Sequence, residues 1–366
     1  METVALSVTE HPLSFLAALY EEAGIEPDAL DYYATAVWFQ TLAANCLQIG
    51  ESTTVLCAGG VVLPLRLGPV RLGPLAGRQA GGLSNFYSCR FCPPGLEQAA
   101  EPVAAMAALG TALRERGFAA LRFDALDVAP HLAMAEGLRR AGWVVEPFRQ
   151  FGNWFLATDG LDFERYWRAR PGALRNTGRR RFRSLVEKGE ARIVCYTRPD
   201  EAEAAIAAYE AVYAGSWQPT EPFPGYMPGL IRAGFADGEA QVWCLFVAGQ
   251  PVAAQVWTRR HGQATIFKLA YLQDWGRQSA GTVLTMAAIQ AALADPGIRE
   301  IDFGWGDDAY KREWLPERRQ RYGIAAYNPR RLTGLALAVR NLGPQTVRKI
   351  LGPLRHNPSR HNPAIR

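Results

Sequence analysis

Asp302, Asp307, Asp308, Tyr310 and Lys311 crowd one short stretch of the chain, Ile301-Asp302-Phe303-Gly304-Trp305-Gly306-Asp307-Asp308-Ala309-Tyr310-Lys311. Carboxyls buried close together hold at least one proton longer than an isolated carboxyl does, which brings a pKa toward a range useful for proton transfer near neutrality. Asp302, Tyr310 and Lys311 are therefore candidates for moving the proton of a nucleophile, and Asp307 and Asp308 for holding a cationic substrate. The competing reading is a turn capped by Asp307-Asp308 and neutralised by Lys311. Upstream, Gln278-Ser279-Ala280-Gly281-Thr282 opens an apolar run, residues 282–294, of helical length. The first N–H groups of a helix have no partner within it and lie at its positive end. This turn therefore offers a seat for a phosphate, with Ser279 as N-cap and Gly281 letting the backbone approach closely. An ordinary strand-to-helix turn has the same composition.

Other candidates are spread more widely. Trp217 and Glu221 stand in Ser216-Trp217-Gln218-Pro219-Thr220-Glu221-Pro222, where an aromatic beside a carboxylate suits a cationic amine. Loop packing accounts for Trp217 equally well. Arg175, Arg179 and Arg183 recur at helical spacing, and this basic face can meet a phosphate, an acidic protein surface or RNA, or simply face solvent. His261, in Arg260-His261-Gly262, reads as a solvated turn residue. Cys89 and Cys92 form a lone Cys-x-x-Cys with no second pair and no His cluster beside it. Free thiols in a loop are expected there, and no metal site.

These side chains need elements to carry them, and turn residues mark the elements out. Residues 34–47, 96–116 and 132–140 read as helices, the last two ended by Gly117 and Gly142. Residues 53–57 and 61–65 read as a hairpin around Gly59-Gly60, and 119–123 and 143–157 as extended structure. The Gly- and Pro-dense stretch 69–95 reads as irregular connection. After Asp159 the same grammar restarts. Residues 163–188 are helical but interrupted at Pro171-Gly172, 192–197 a strand, and 200–214 a helix with an acidic first turn. Residues 241–247, 252–258 and 264–271 form a three-stranded antiparallel meander, followed by helix 282–294 and strand 300–303. Strands, one long helix and a further strand define an α/β layer.

Three blocks carry a resemblance: Arg175-Asn176-Thr177-Gly178-Arg179-Arg180-Arg181-Phe182-Arg183 with residues 190–196, then 271–284, then 301–311. Together they are similar to the GNAT superfamily, in particular its cellulose-biosynthesis-type (CelD-like) acetyltransferase branch, with a further relation to the two-lobed Fem-type transferases. The resemblance implies an α/β fold of two tandem GNAT-like lobes, each a mixed, largely antiparallel sheet flanked by helices. It places a degenerate lobe at 1–158, the donor and acceptor site at 159–330, and a basic amphipathic tail at 331–366. It also implies transfer of an acyl group from acyl-CoA or an acyl carrier protein to a primary amine, with Gln278, Ser279, Ala280, Gly281 and Thr282 at the donor's pyrophosphate. Leu269 and Tyr271 would lie along the donor on a splayed strand, with Trp217, Glu221, Asp307, Asp308, Arg175 and Arg179 toward the substrate. Val283 stands where the family pattern has a second small residue, which leaves open a donor held differently, an aminoacyl-tRNA included. A non-catalytic binding protein on the same fold is the third reading.

Composition sets the outer limits. The hydrophobic fraction is 49% and the charged fraction 20%, values of globular rather than disordered chains. The first residues lack the pattern of a secretory signal and no run is long enough to span a bilayer, so a cytoplasmic protein is expected. The net charge of +5 does not demand nucleic acid. In residues 332–354, the apolar Leu335, Leu337, Val339, Leu342, Val347, Ile350 and Leu351 are mixed with Arg340, Arg348 and Lys349. This pattern suits peripheral contact with an anionic membrane, closure over an acyl chain, or packing on the second lobe. Gly343-Pro344 is expected to break any helix there.

Overall fold

In the computed structural model, residues 6–187, 189 and 191–351 are described, the side chains of 344–351 excepted. Residues 1–5, Lys188, Glu190 and 352–366, which include the first residue of the 190–196 stretch and much of the basic tail, lie outside the described residues. The chain divides into two compact units, one holding residues up to Phe151 and from Gln320 on, the other Gly152–Arg319.

The first unit opens with β1 (Thr9–His11), α1 (Leu16–Glu22) and α2 (Ala36–Cys46). The Thr35 hydroxyl caps α2 by accepting the Trp38 N–H at 3.1 Å. Strands β2 (Ser52–Ala58), β3 (Val61–Leu72) and β4 (Leu75–Gly82) form an antiparallel meander. The stretch read as irregular is thus mostly a hairpin, with Gly73 at positive φ in its turn. Its glycines serve packing rather than looseness, since a Cβ on Gly81 would lie 2.5 Å from the Arg122 carbonyl oxygen. Helix α3 (Pro102–Glu115) returns the chain to β5 (Ala120–Leu126), which pairs parallel to β4, and α4 (Val128–Arg140) leads into β6 (Val144–Ala157).

The second unit begins with α5 (Phe163–Arg168) and α6 (Gly172–Phe182), separated at Pro171 as expected. Then follow β7 (Ala191–Tyr196), α7 (Ala202–Ala214) and α8 (Tyr226–Ala236), the last without forewarning in the sequence reading. Strands β8 (Ala240–Val247), β9 (Gln250–Arg260) and β10 (Gln263–Tyr271) make the expected meander, with His261 and Gly262 at positive φ in its second turn. Helix α9 (Ala280–Ala294) then carries the chain to β11 (Glu300–Asp302), which pairs parallel to β10. Within this unit the strand order is β6, β11, β10, β9, β8, β7. Its core stacks Trp167, Trp257, Ile289 and Ile301, all at most 1% exposed, an apolar burial that supplies most of the driving force.

After the short α10 (Lys311–Trp314), strand β12 (Glu317–Tyr327) reaches the first unit, where Tyr322 to Tyr327 pair antiparallel with β5. Helix α11 (Leu332–Leu351) closes the described chain. Two expectations are corrected here. The helix runs through Gly343-Pro344, because a proline removes one bond of the helical ladder without forbidding the rest. Among its described residues the inner face, Leu337 and Ala338, packs with Ala120, Ala325 and Tyr327 of the first unit, where packing on the second lobe was one of the readings.

Candidate functional site

The mouth of α9 is built from a tight descent out of β10. Gly276 donates to the Gln273 carbonyl at 3.0 Å and Ser279 to Gly276 at 2.9 Å. Ser279 then sits at φ 56, ψ 41, in the left-handed region, and its carbonyl accepts the Val283 N–H at 3.0 Å. It occupies the N-cap position, but its hydroxyl makes no capping bond. The N–H groups of Ala280, Gly281 and Thr282 thus form the first turn, where helical geometry provides no partner, and the left-handed residue before them turns successive N–H groups toward one point. Arg181, at the end of α6, donates a hydrogen bond to the Arg277 carbonyl at 2.7 Å. Its Nε and the Gln278 side-chain oxygen are buried without partners. A guanidinium with a spare N–H, an amide able to present either of its ends, and a helix N-terminus converge on one turn, a combination that favours an anion.

Beside this mouth the sheet opens. Strands β10 and β11 stay in register through Thr265 and Asp302, after which β10 continues to Tyr271 while β11 ends. The register of β10 with β9 slips between Ile266 and Lys268, a bulge that re-aims the strand. The Leu269 carbonyl accepts from Gln218 Nε2 at 3.2 Å rather than from a strand. A strand residue directs its N–H and C=O to the same side, so the Leu269 N–H also faces the opening. Tyr271 ends the strand over α9, where a Cβ on Gly281 would lie 2.8 Å from its ring. Gly281 therefore makes room for an aromatic wall as well as for close backbone approach. Trp217 packs on Tyr271 with ring centroids 4.1 Å apart and remains 46% exposed. Its loop is pinned by the Ser216–Leu272 bridge and by Gln273, which donates to the Ser216 carbonyl. Glu221 pairs with Lys268 at 3.1 Å, and that ammonium lies over the Tyr213 ring.

The acidic stretch sorts into different tasks. Asp302 is 1% exposed, and four N–H donors meet its oxygens, from Asn153 (2.7 Å), Gly304, Gln263 and Arg319. Burial pushes this carboxyl above its ordinary range and Arg319 opposes the rise; because every partner is a donor, the arrangement suits the carboxylate form. Arg319 also holds Glu300 at 2.7 Å and Asn153. Lys311 is 5% exposed and its ammonium donates to the carbonyls of Phe303 (3.2 Å), Trp305 (2.5 Å) and Gly306 (3.5 Å), with Asp308 at 3.4 Å. It therefore gathers the loop that leaves β11. Asp307 accepts from the Trp154 indole at 2.8 Å and pairs with Arg318 at 2.6 Å, and these hydrogen bonds, that of Arg318 foremost, lower its pKa. Tyr310 meets Phe303 edge-on at 5.8 Å. Although the residue is 44% exposed overall, desolvation at its hydroxyl end, then the nearby Asp308 and Tyr271, raise its pKa above the ordinary 10.0. It carries its proton throughout the neutral range.

Tyr271, Trp217, Gly281 and Leu269 thus come together at the opening, with Tyr310 electrostatically coupled to Tyr271. Arg179 does not share their partners: it is exposed and pairs with Glu164 at 3.2 Å. Arg175 lies on the same helix with its Nε buried and unpartnered. Arg181, Gln218, Asn153 and Arg319 are not among the residues expected at the site from sequence. For Arg181 a signal existed, since it follows the buried Leu174 and Gly178 on the inward face of α6. Among the described residues no cluster of His, Cys, Asp and Glu could hold a metal, and no helix is long and apolar enough to cross a membrane.

Residues 172–312 match the family model of an acetyltransferase (GNAT) domain. No curated protein sequence matches the chain. Its fold is shared by the crystal structure of FemX, with 9% identity, a TM-score of 0.58, and coverage of 92% of this chain and 99% of that one. It is shared too by the C-terminal domain of a putative lysylphosphatidylglycerol synthetase from Agrobacterium fabrum, with 13% identity, a TM-score of 0.54 and coverage of 90% and 97%. A tandem GNAT protein from the clavulanic acid biosynthesis pathway aligns with 13% identity, a TM-score of 0.50 and coverage of 88% and 98%. The architecture is that of the two-lobed GNAT and Fem-type proteins.

Proposed function

We propose that the chain is an N-acyltransferase of the CelD-like GNAT branch, moving an acyl group from acyl-CoA or a phosphopantetheinyl carrier protein to a primary amine. The observation that carries this reading is the convergence of the α9 mouth, Arg181 and Gln278 beside the point where β10 leaves β11. Phosphates of the donor rest on the N–H groups of Ala280, Gly281 and Thr282 and on Arg181, and the thioester lies along β10. The neutral amine attacks the thioester carbonyl. A C–N bond forms, negative charge gathers on the carbonyl oxygen, and the Leu269 N–H is placed to stabilise it. As the C–S bond breaks, Tyr310, still protonated, gives its proton to the thiolate; the amine's proton leaves to water and Tyr310 is reprotonated from solvent. Asp302 and Lys311 act as positioning residues that hold the loop bearing Tyr310. Trp217 and Glu221 border the side from which the amine enters.

A second reading has support from the fold: FemX and the lysylphosphatidylglycerol synthetase domain share it across both lobes, and an aminoacyl-tRNA also offers phosphates to a helix mouth. Thiol release from acyl-CoAs of graded chain length, each with a panel of sugar, amino-acid and peptidyl amines, tests the first reading. Transfer of radiolabel from charged tRNA to the same amines tests the second. Turnover with an acyl-CoA, abolished by Arg181→Glu, supports acyl transfer from CoA. No turnover with any donor, and no binding of CoA, would sink the proposal.

A further inference from the structure

The protein carries a net charge of +5, yet its excess is not spread over it. Residues 330–366 hold eight Lys and Arg and no Asp or Glu, so the remaining 329 residues sum to +5 − 8 = −3. Into this segment falls α11, whose inner face is fixed to the first unit by Leu337, Ala338 and the Thr333 hydroxyl, which donates to the Ala76 carbonyl at 2.8 Å. Its outer face bears Leu332, Leu335 and Val339, 77%, 45% and 66% exposed, spaced to lie in one stripe. Arg330, Arg331 and Arg340 beside them are exposed as well. The adjoining hairpin adds exposed Arg71 and Arg78, and Gly77 on it abuts Thr333.

We propose that this face of α11 seats the protein on an anionic lipid surface, with Leu332, Leu335 and Val339 entering the headgroup boundary and the arginines pairing with lipid phosphates. An apolar stripe rimmed by cations, on a segment free of carboxylates, matches a negatively charged interface. An apolar protein partner would gain nothing from the complete absence of acidic residues, and an acidic one would gain little from three exposed aliphatic side chains. The inference stands apart from the transferase reading, since none of these residues belongs to the second unit.

The test is flotation of the full-length protein with vesicles of phosphatidylcholine alone and of phosphatidylcholine with phosphatidylglycerol in equal parts. Partitioning onto the anionic vesicles should exceed that onto neutral ones by about tenfold and fall as salt rises. The pair L335S/V339S should weaken it by about fivefold or more, and R330Q/R340Q comparably, with unchanged melting curves because all four side chains are exposed. Equal partitioning onto both vesicles, absence of binding to either, or retention by L335S/V339S would overturn the proposal. So would a dimer in light scattering that L335S/V339S converts to monomer, which would assign the stripe to a second copy of the chain.

Discussion

The two units follow the same succession, an antiparallel meander, a helix and a strand returning parallel beside the last of the meander, yet they finish that parallel pair in opposite ways. In the first unit the pairing of β4 with β5 reaches Gly81 and Arg122, and the space beyond is filled. A Cβ on Gly82 would lie 2.6 Å from the Phe91 ring, the Phe91 N–H bonds the Ala125 carbonyl at 2.9 Å, and its ring stacks on Phe123 at 6.3 Å. In the second unit the pairing of β10 with β11 stops at Thr265 and Asp302, and the Gln218 side chain meets the freed edge at the Leu269 carbonyl. One inserted aromatic turns the divergence of two strands into core; its lack leaves polar backbone for a ligand. The expectation of a degenerate first lobe has here a physical form that experiment can test.

The largest effect should come from the open lobe. Tyr310→Phe removes the proposed proton donor without removing the ring, and kcat should fall by about 10²- to 10⁴-fold with donor KM little changed. In wild type, activity should persist as pH rises through 10.0, the ordinary tyrosine value, because the Tyr310 pKa is raised; loss of activity centred near that value would remove Tyr310 from the role. Next comes the filled lobe. Phe91→Ala should cost about 3–5 kcal/mol of stability in denaturant melts and leave kcat/KM of the surviving folded protein alone. A matching loss of activity would show that the filled divergence does more than pack. Smaller again is Gly281→Ala, whose methyl must displace the Tyr271 ring. About 1–3 kcal/mol of stability should be lost, together with an increase in donor KM that Tyr271→Leu partly reverses.

Much of the second unit was legible because its turns announce themselves: Gly249 and His261-Gly262 punctuate a meander of alternating strands, and Pro171 parts two helices. The hairpin of β3 and β4 was not, since its glycines resemble those of a loop until Ala119, Arg122 and Phe91 are seen to press on Gly77, Gly81 and Gly82. Helix α8 hid behind Pro228, Gly229 and Gly234, and the last of these is required where Ala240 approaches to 2.5 Å of its missing Cβ. At the site, sequence located the turn that opens α9 and the acidic stretch. It left unresolved which charged groups are spent on one another. Asp302 and Lys311 have their oxygens and N–H groups engaged, whereas Arg181 retains a free Nε, and only three-dimensional proximity distinguishes these fates.

The smallest expected effect concerns the pair of Asp307 and Arg318, which borders the open lobe without closing it. Their side chains are 44% and 36% exposed, so solvent screening leaves the pair about 0.2–1 kcal/mol at most. Arg318, with help from Trp154, lowers the Asp307 pKa below its ordinary 3.8. A carboxyl depressed in the folded state stabilises fully above its unfolded pKa, and the contribution fades as pH falls through the folded value. Asp307→Asn should therefore lower the melting midpoint slightly at neutral pH, and the gap to wild type should close as pH falls below the ordinary carboxyl value of 3.8 and through the lowered folded one. A gap that persists in acid would mean that the Trp154 hydrogen bond, rather than the charge, carries the contribution. The loop leaving β11 would then be held by neutral contacts, as the filled divergence of the first unit is, and the two lobes would differ less in their electrostatics than in the single ring of Phe91.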